Sequence, residues 1–146
     1  MQNLPDLAAE RGNPSFVWRK GQERRLALVH HYVELAEQRI LDVGCGVGMY
    51  TEAFNRHSSH VFGIEIEYPR AREALHHAKG VGQSVGERLP FAAAPFDVVF
   101  SHEVLEHVQD DRACLNEMVR VTRKGGPIVI FVPNRLYPFE THGIYW

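Results

Sequence analysis

The chain has 146 residues, 45% of them hydrophobic, and a formal charge of −2. That length suits one domain, the apolar content is enough for a core, and a disordered composition is excluded. The charge excludes a globally basic surface, so no nucleic-acid partner is evident. No apolar run approaches the roughly 20 residues of a membrane helix, so no membrane span is expected.

Residues 1–15 read as an irregular lead-in: Met1 to Pro14 is polar, broken by Pro5, Gly12 and Pro14, and unlike a signal peptide. From Phe16 to Gln38 the pattern turns helical. Leu26, Val29 and Val33 share one stripe, with Leu28, Tyr32 and Leu35 beside it. Arg19, Lys20, Arg24 and Arg25 make its start basic, which reads as a solvated face or as a cap over a ligand carboxylate. His30 and His31 read as surface, because adjacent helical residues do not face each other.

The next stretch, Ile40-Leu41-Asp42-Val43-Gly44-Cys45-Gly46-Val47-Gly48, organises the chain. A short apolar run that breaks into three alternate glycines reads as a buried strand, here 39–43, ending in a tight loop. Glycines allow positive φ and let a ligand lie against the backbone. A helix is expected over 48–57, with its N–H groups pointing back at the loop. A second strand, His60 to Ile66, carries Glu65, placed to accept hydrogen bonds from a ribose. That spacing suits NAD and S-adenosylmethionine equally, and a solvent-facing strand-end carboxylate is the plain alternative.

Pro69 suits the first turn of a helix running to Lys79, with His76 and His77 facing solvent and Gly80 as its stop. A weak strand follows at Val81 to Val85. The fourth strand, Phe96 to Phe100, is continuously apolar, as in a parallel sheet covered on both faces. It leads into Ser101-His102-Glu103-Val104-Leu105-Glu106-His107-Val108. Neither His-Glu-x-x-His nor His-x-x-Glu-His is completed there, so no metal site is expected. Asp110 or Asp111 caps a helix to Thr122, with Leu115, Met118, Val119 and Thr122 as its buried stripe. A fifth strand spans Pro127 to Val132. Residues 134–146 form a tail in which Glu140 and His142 are further candidates for contact with a substrate.

The dinucleotide fingerprint Gly-x-Gly-x-x-Gly is not met, because Met49 stands at the third glycine place. The segment 40–48 instead resembles the first motif of class I S-adenosylmethionine-dependent methyltransferases, Leu-Asp-Val-Gly-Cys-Gly-x-Gly. Three further stretches resemble that family: Leu89-Pro90-Phe91 and Leu105-Glu106-His107-Val108, which resemble in particular its quinone-biosynthesis-like branch, and the basic run Arg123-Lys124-Gly125-Gly126 before the fifth strand. The likeness covers about residues 16–132. It departs from the family at Val85, where an acidic residue is common.

The resemblance implies an α/β, Rossmann-like, doubly wound and mainly parallel sheet of order 3-2-1-4-5. That family has strands 6 and 7; this chain is expected to lack them or to be truncated before them, with 16–133 as the methyltransferase domain and the tail as the start of a missing acceptor-side region. It implies S-adenosyl-L-methionine as cofactor. Gly44, Cys45, Gly46 and Gly48 would lie under the methionyl part, which Asp42 orients. Glu65 would hold the ribose, Ile66 and Gly86-Glu87 would flank adenine, and Ser101 and His102 would border the site. His107 is the catalytic candidate, and a small-molecule methyl acceptor the expected substrate.

Three alternatives stay open: a non-catalytic S-adenosylmethionine-binding module, an NAD-dependent oxidoreductase, and a plain structural domain. Cys45 and Cys114 form no CxxC pair, which fits a reducing, cytoplasmic setting.

Overall fold

A computed structural model describes residues 16–133, with side chains from residue 20 onward. The elements in chain order are α1 (Phe16–Tyr32), β1 (Ile40–Val43), α2 (Met49–Asn55), β2 (Val61–Glu65), α3 (Tyr68–Ala74), β3 (Gly80–Gln83), β4 (Val98–His102), α4 (Asp111–Val121) and β5 (Ile128–Phe131). The strands form one parallel sheet in the order β3-β2-β1-β4-β5. The chain therefore winds one way from β1 to β3 and the other way from β4 to β5. The reversal puts a crevice at the carboxyl ends of β1 and β4, where open α/β sheets bind ligands.

Alternation along the strands divides the core into two layers. Ile40, Val61, Val98 and Phe100 face α1 and α2, where they meet Val29, Tyr50 and Phe54. Leu41, Val43, Ile64 and Val99 face α4, where they meet Cys114, Met118 and Val121. Phe54 and Phe100 pack edge to face, their ring centres 4.9 Å apart. Truncating either to Ala would cost about 3–5 kcal/mol. At the opposite end of the sheet from the crevice, the Asp97 carboxylate accepts from the Arg39 backbone N–H (2.9 Å) and Nε (3.2 Å) and forms an ion pair with Arg123, whose Nε lies 3.0 Å away. It thereby ties the start of β1 to the α4–β5 turn; the Arg39 N–H bond foremost, then the Arg39 side chain and the Arg123 charge, hold its carboxyl below the usual range.

The fold agrees with the α/β, order 3-2-1-4-5 expectation, and the element boundaries differ for physical reasons. Helix α1 stops at Tyr32, well short of Gln38. Val33 and Leu35 are both buried two residues apart, which a helix cannot do on one face, and Glu37 turns the chain at φ 56°. Leu28 and Tyr32, expected to be packed, are exposed. Helix α3 ends at Ala74 rather than Lys79, because Lys79 N–H already pairs with Val61 O on the way into β3. Strand β4 begins at Val98, since Phe96 is drawn off to bridge Thr122. On α4 the buried stripe is Cys114-Met118-Val121, whereas Val119 is 62% exposed. Asp110 is the cap, accepting the Ala113 N–H at 2.9 Å. His77 is half-buried beside Glu52, 3.8 Å away, rather than solvent-facing. Glu140 and His142 lie outside the described residues, as does the side chain of Arg19.

Candidate functional site

The three glycines after β1 all have positive φ: 75° at Gly44, 56° at Gly46 and 93° at Gly48. Each is required for a different reason. A Cβ on Gly44 would stand 2.2 Å from Val104 Cγ2, and one on Gly48 would stand 3.0 Å from Ala74 Cα. A Cβ on Gly46 would meet nothing within 4 Å. Gly44 and Gly48 are therefore closed against the protein, and Gly46 presents bare backbone to open space. Gly63 on β2 belongs to the same construction, because a Cβ there would lie 2.7 Å from Cys45 Sγ.

Four of the loop's amides are committed internally. Gly44 and Cys45 N–H both donate to Ile64 O (2.7 and 2.9 Å), and Gly48 N–H donates to Cys45 O (2.9 Å). Gly46 N–H donates to Glu65 Oε2 at 2.9 Å. Glu65 Oε1 accepts the Glu67 N–H, also at 2.9 Å. The Glu65 carboxylate, 6% exposed, is thus a staple between β2 and the loop that retains lone pairs for a ligand hydroxyl.

On the neighbouring strand Asp42 is 2% exposed and accepts from Thr51 Oγ1 at 2.8 Å. Burial pushes its pKa up to about 7; the Thr51 hydrogen bond opposes this and the Glu65 charge adds to it. Thr51 had no signal in the sequence beyond lying on the helix that follows the loop. Val104, whose methyl group closes off Gly44, had none at all.

At the end of β4, Ser101 Oγ is buried with no hydrogen-bond partner among the described residues. His102 packs between the rings of Tyr50 (centroids 4.9 Å) and Phe131 (6.0 Å). Its Nε2 lies 3.6 Å from Glu103 Oε1, and that oxygen lies 3.9 Å from Arg25. Glu103 itself sits at φ 55°, a conformation non-glycine residues avoid, held by its N–H bond to Phe131 O (2.8 Å). Burial pushes the Tyr50 phenol up to about 12. His107 is exposed in the β4–α4 connection.

On the other side, Ile66 is 61% exposed just beyond Glu65, an apolar surface at a strand end. Gly86 abuts α4, where an added Cβ would meet Cys114 Sγ at 2.7 Å. Glu87 accepts the Gln109 N–H at 2.8 Å. The structure therefore brings Asp42, the glycine loop and Glu65 together at the carboxyl ends of β1 and β2. Ile66 and Gly86-Glu87 lie to one side, and Ser101 and His102 to the other. Among the described residues no group of three or more His, Cys, Asp or Glu is placed to hold a metal ion.

The chemistry of this donor set discriminates between ligands. Phosphate-binding loops offer free N–H groups to an anion. Here four loop amides are already donated and two buried carboxylates stand beside them. Such a site repels a pyrophosphate and suits a ligand with hydroxyls, a cationic centre and an apolar ring. The open face of Gly46, the Glu65 carboxylate and exposed Ile66 fit S-adenosylmethionine on those grounds.

These features define a Rossmann-like, doubly wound domain with a candidate ligand site at its topological switch point. The chain belongs to the methyltransferase-domain family, whose model matches residues 41–130. The family's cofactor is S-adenosylmethionine. An uncharacterized methyltransferase of Mycobacterium sp. (strain JLS) is 42% identical over 106 residues, covering 70% of this chain and 42% of that protein. The ubiquinone biosynthesis O-methyltransferase of Xylella fastidiosa (strain M23) is 32% identical over 118 residues, covering 76% and 48%. The chain thus spans about half the length of the curated relatives it matches. Among solved structures, the YcgJ protein from Bacillus subtilis superposes with TM-score 0.68 at 22% identity, over 75% of this chain and 50% of that one. The [4+2]-cyclase SpnF superposes with TM-score 0.69 at 23% identity, over 77% and 45%. One architecture thus underlies differently named activities, and the fold alone does not assign the reaction.

Proposed function

We propose that this chain is the cofactor-binding domain of an S-adenosylmethionine-dependent methyltransferase acting on a small-molecule acceptor. The observation that carries the reading is the Glu65 carboxylate bonded to Gly46 N–H beneath an open glycine face, with the Gly44, Cys45 and Gly48 amides committed. Bound there, S-adenosylmethionine supplies a methyl group on an electrophilic sulfonium. The residues bind and orient. Glu65 accepts from the ribose hydroxyls, Gly44 to Gly48 carry the methionyl part, and Asp42, anchored by Thr51, sets the negative field facing the amino group. Ile66 and the Gly86-Glu87 segment flank the adenine. Ser101 and His102 border the methyl-transfer side, and holding donor and acceptor in line is the main catalytic contribution.

The relatives named for ubiquinone biosynthesis make a hydroxylated aromatic ring the first acceptor to test. His107 is the proton acceptor in this reading, if the acceptor's hydroxyl must lose its proton. Its exposure favours one rival, a binding module that holds the cofactor and transfers nothing. Incubation with methyl-tritiated S-adenosylmethionine and a panel of catechols separates the two. Labelled product and S-adenosylhomocysteine are expected; tight binding with no turnover across the panel, by this chain and a longer one, would establish the module.

The reading places the protein in the cytoplasm. Two observations support this: Cys45 and Cys114 are free and buried, and no helix among the described residues is long and apolar enough to cross a membrane.

A further inference from the structure

The segment after β3 has no side-chain acceptor for a purine amino group at Val85, where the family commonly carries an acidic residue. Val85 is apolar, and Glu87 Oε1 is turned to the Gln109 and Asp110 N–H groups, at 2.8 and 3.5 Å. At Val85 itself only main-chain groups can meet a base, and main-chain groups, like the Glu87 side chain beside them, discriminate only if the segment is held still.

The holding comes from α4. Glu117 Oε2 accepts the Leu89 N–H at 2.7 Å. Arg120 Nη1 donates to Phe91 O at 2.7 Å and Nη2 to Leu89 O at 3.1 Å. The two side chains also grip each other through two short bonds, 2.6 Å at Nε and 2.7 Å at Nη2. The guanidinium fork and the carboxylate thus make one planar unit that fixes both hydrogen-bonding edges of residues 89–91. Ser84 Oγ, donating to Arg88 O at 2.8 Å, pins the other end.

We propose that Glu117 and Arg120 are positioning residues that set the base specificity of the nucleoside site, by immobilising the backbone of the 85–91 segment. The proposal rests on the S-adenosylmethionine reading above. Neither residue touches the ligand; both act through the segment they clasp. A pair that served stability alone would change the melting temperature and leave base preference untouched.

The test is calorimetric binding of S-adenosylhomocysteine and S-inosylhomocysteine, in which oxygen replaces the adenine amino group. The proteins are wild type, Glu117→Gln, Arg120→Met and Arg120→Lys, each with a thermal melt. Preference between the two ligands is a ratio and does not depend on the fraction of folded protein. Wild type is expected to prefer the adenine ligand at least tenfold. Glu117→Gln and Arg120→Met should bring the ratio toward parity, and Arg120→Lys should retain part of it. Folded variants with the wild-type ratio would overturn the proposal and leave the cofactor reading intact. A folded wild type that binds neither ligand would overturn both. Should Arg120→Met fail to fold, Glu117→Gln and Arg120→Lys decide the matter by the same ratio.

Discussion

Replacing Asp42 with Asn separates what that carboxylate does for the fold from what it does for the ligand. Asp42 is 2% exposed, and its pKa rises from 3.8 to about 7, chiefly through burial. A raised acid is favoured by the fold in its protonated form. Its contribution to stability is complete below about pH 4 and is lost as pH climbs through about 7. At pH 8 the raised carboxyl costs the fold about 4 kcal/mol relative to the unfolded chain, against about 2 kcal/mol at pH 5. Asn keeps the acceptor for Thr51 Oγ1 and never ionises. Asp42→Asn should therefore gain about 2–3 kcal/mol on wild type between pH 5 and pH 8, roughly 10 °C in melting temperature for a domain of this size. Differential scanning fluorimetry across that range reads it directly. The same variant should bind S-adenosylmethionine more weakly at pH 8, having lost the charge that faces the ligand. A melting difference that does not change with pH would refute the reasoning, since it would mean Asp42 titrates normally in the folded protein.

The glycines give a matched pair. Gly44→Ala combines positive φ with a 2.2 Å approach to Val104 and should cost about 2–4 kcal/mol in a chemical melt. Gly46→Ala meets open space, should cost only about 1 kcal/mol, and should weaken S-adenosylhomocysteine binding more than tenfold. Both thiols are buried, and burial raises the pKa of Cys114 to about 11 and that of Cys45 further still. Ellman's reagent should therefore count no reactive thiol in the native protein at pH 8, and two after denaturation.

Much of the fold was legible because β1 is apolar but for Asp42, β4 opens on the apolar run Val98-Val99-Phe100, and both lead into loops rich in glycine or polar residues. That pattern belongs to central parallel strands and fixes the order once a crossover hand is assumed. The core stripe of α4 was harder. Val119 counts as apolar in any periodicity, yet it is exposed, while Cys114, a small residue, fills the space beside Gly86. The end of α1 was hidden for a related reason: Val33 and Leu35 continue an apolar pattern but are buried by a turn. In the site, residue types at the glycine loop and Glu65 point to a nucleoside. The sequence holds no sign that the loop amides are spent internally, because that depends on the carbonyl of Ile64 reaching across from β2. The Glu117–Arg120 clasp was equally invisible, since a helical Glu-x-x-Arg pair is usually an exposed ion pair of small value.

The central claim is that Glu65 and the open face of Gly46 hold a sulfonium nucleoside rather than a dinucleotide. Isothermal titration of S-adenosylmethionine, S-adenosylhomocysteine and NADH against the chain, with Glu65→Ala alongside, tests it most directly. The account predicts binding of the first two, loss of both in Glu65→Ala, and no heat from NADH. Binding of NADH, or S-adenosylmethionine binding that survives Glu65→Ala unchanged, would contradict it.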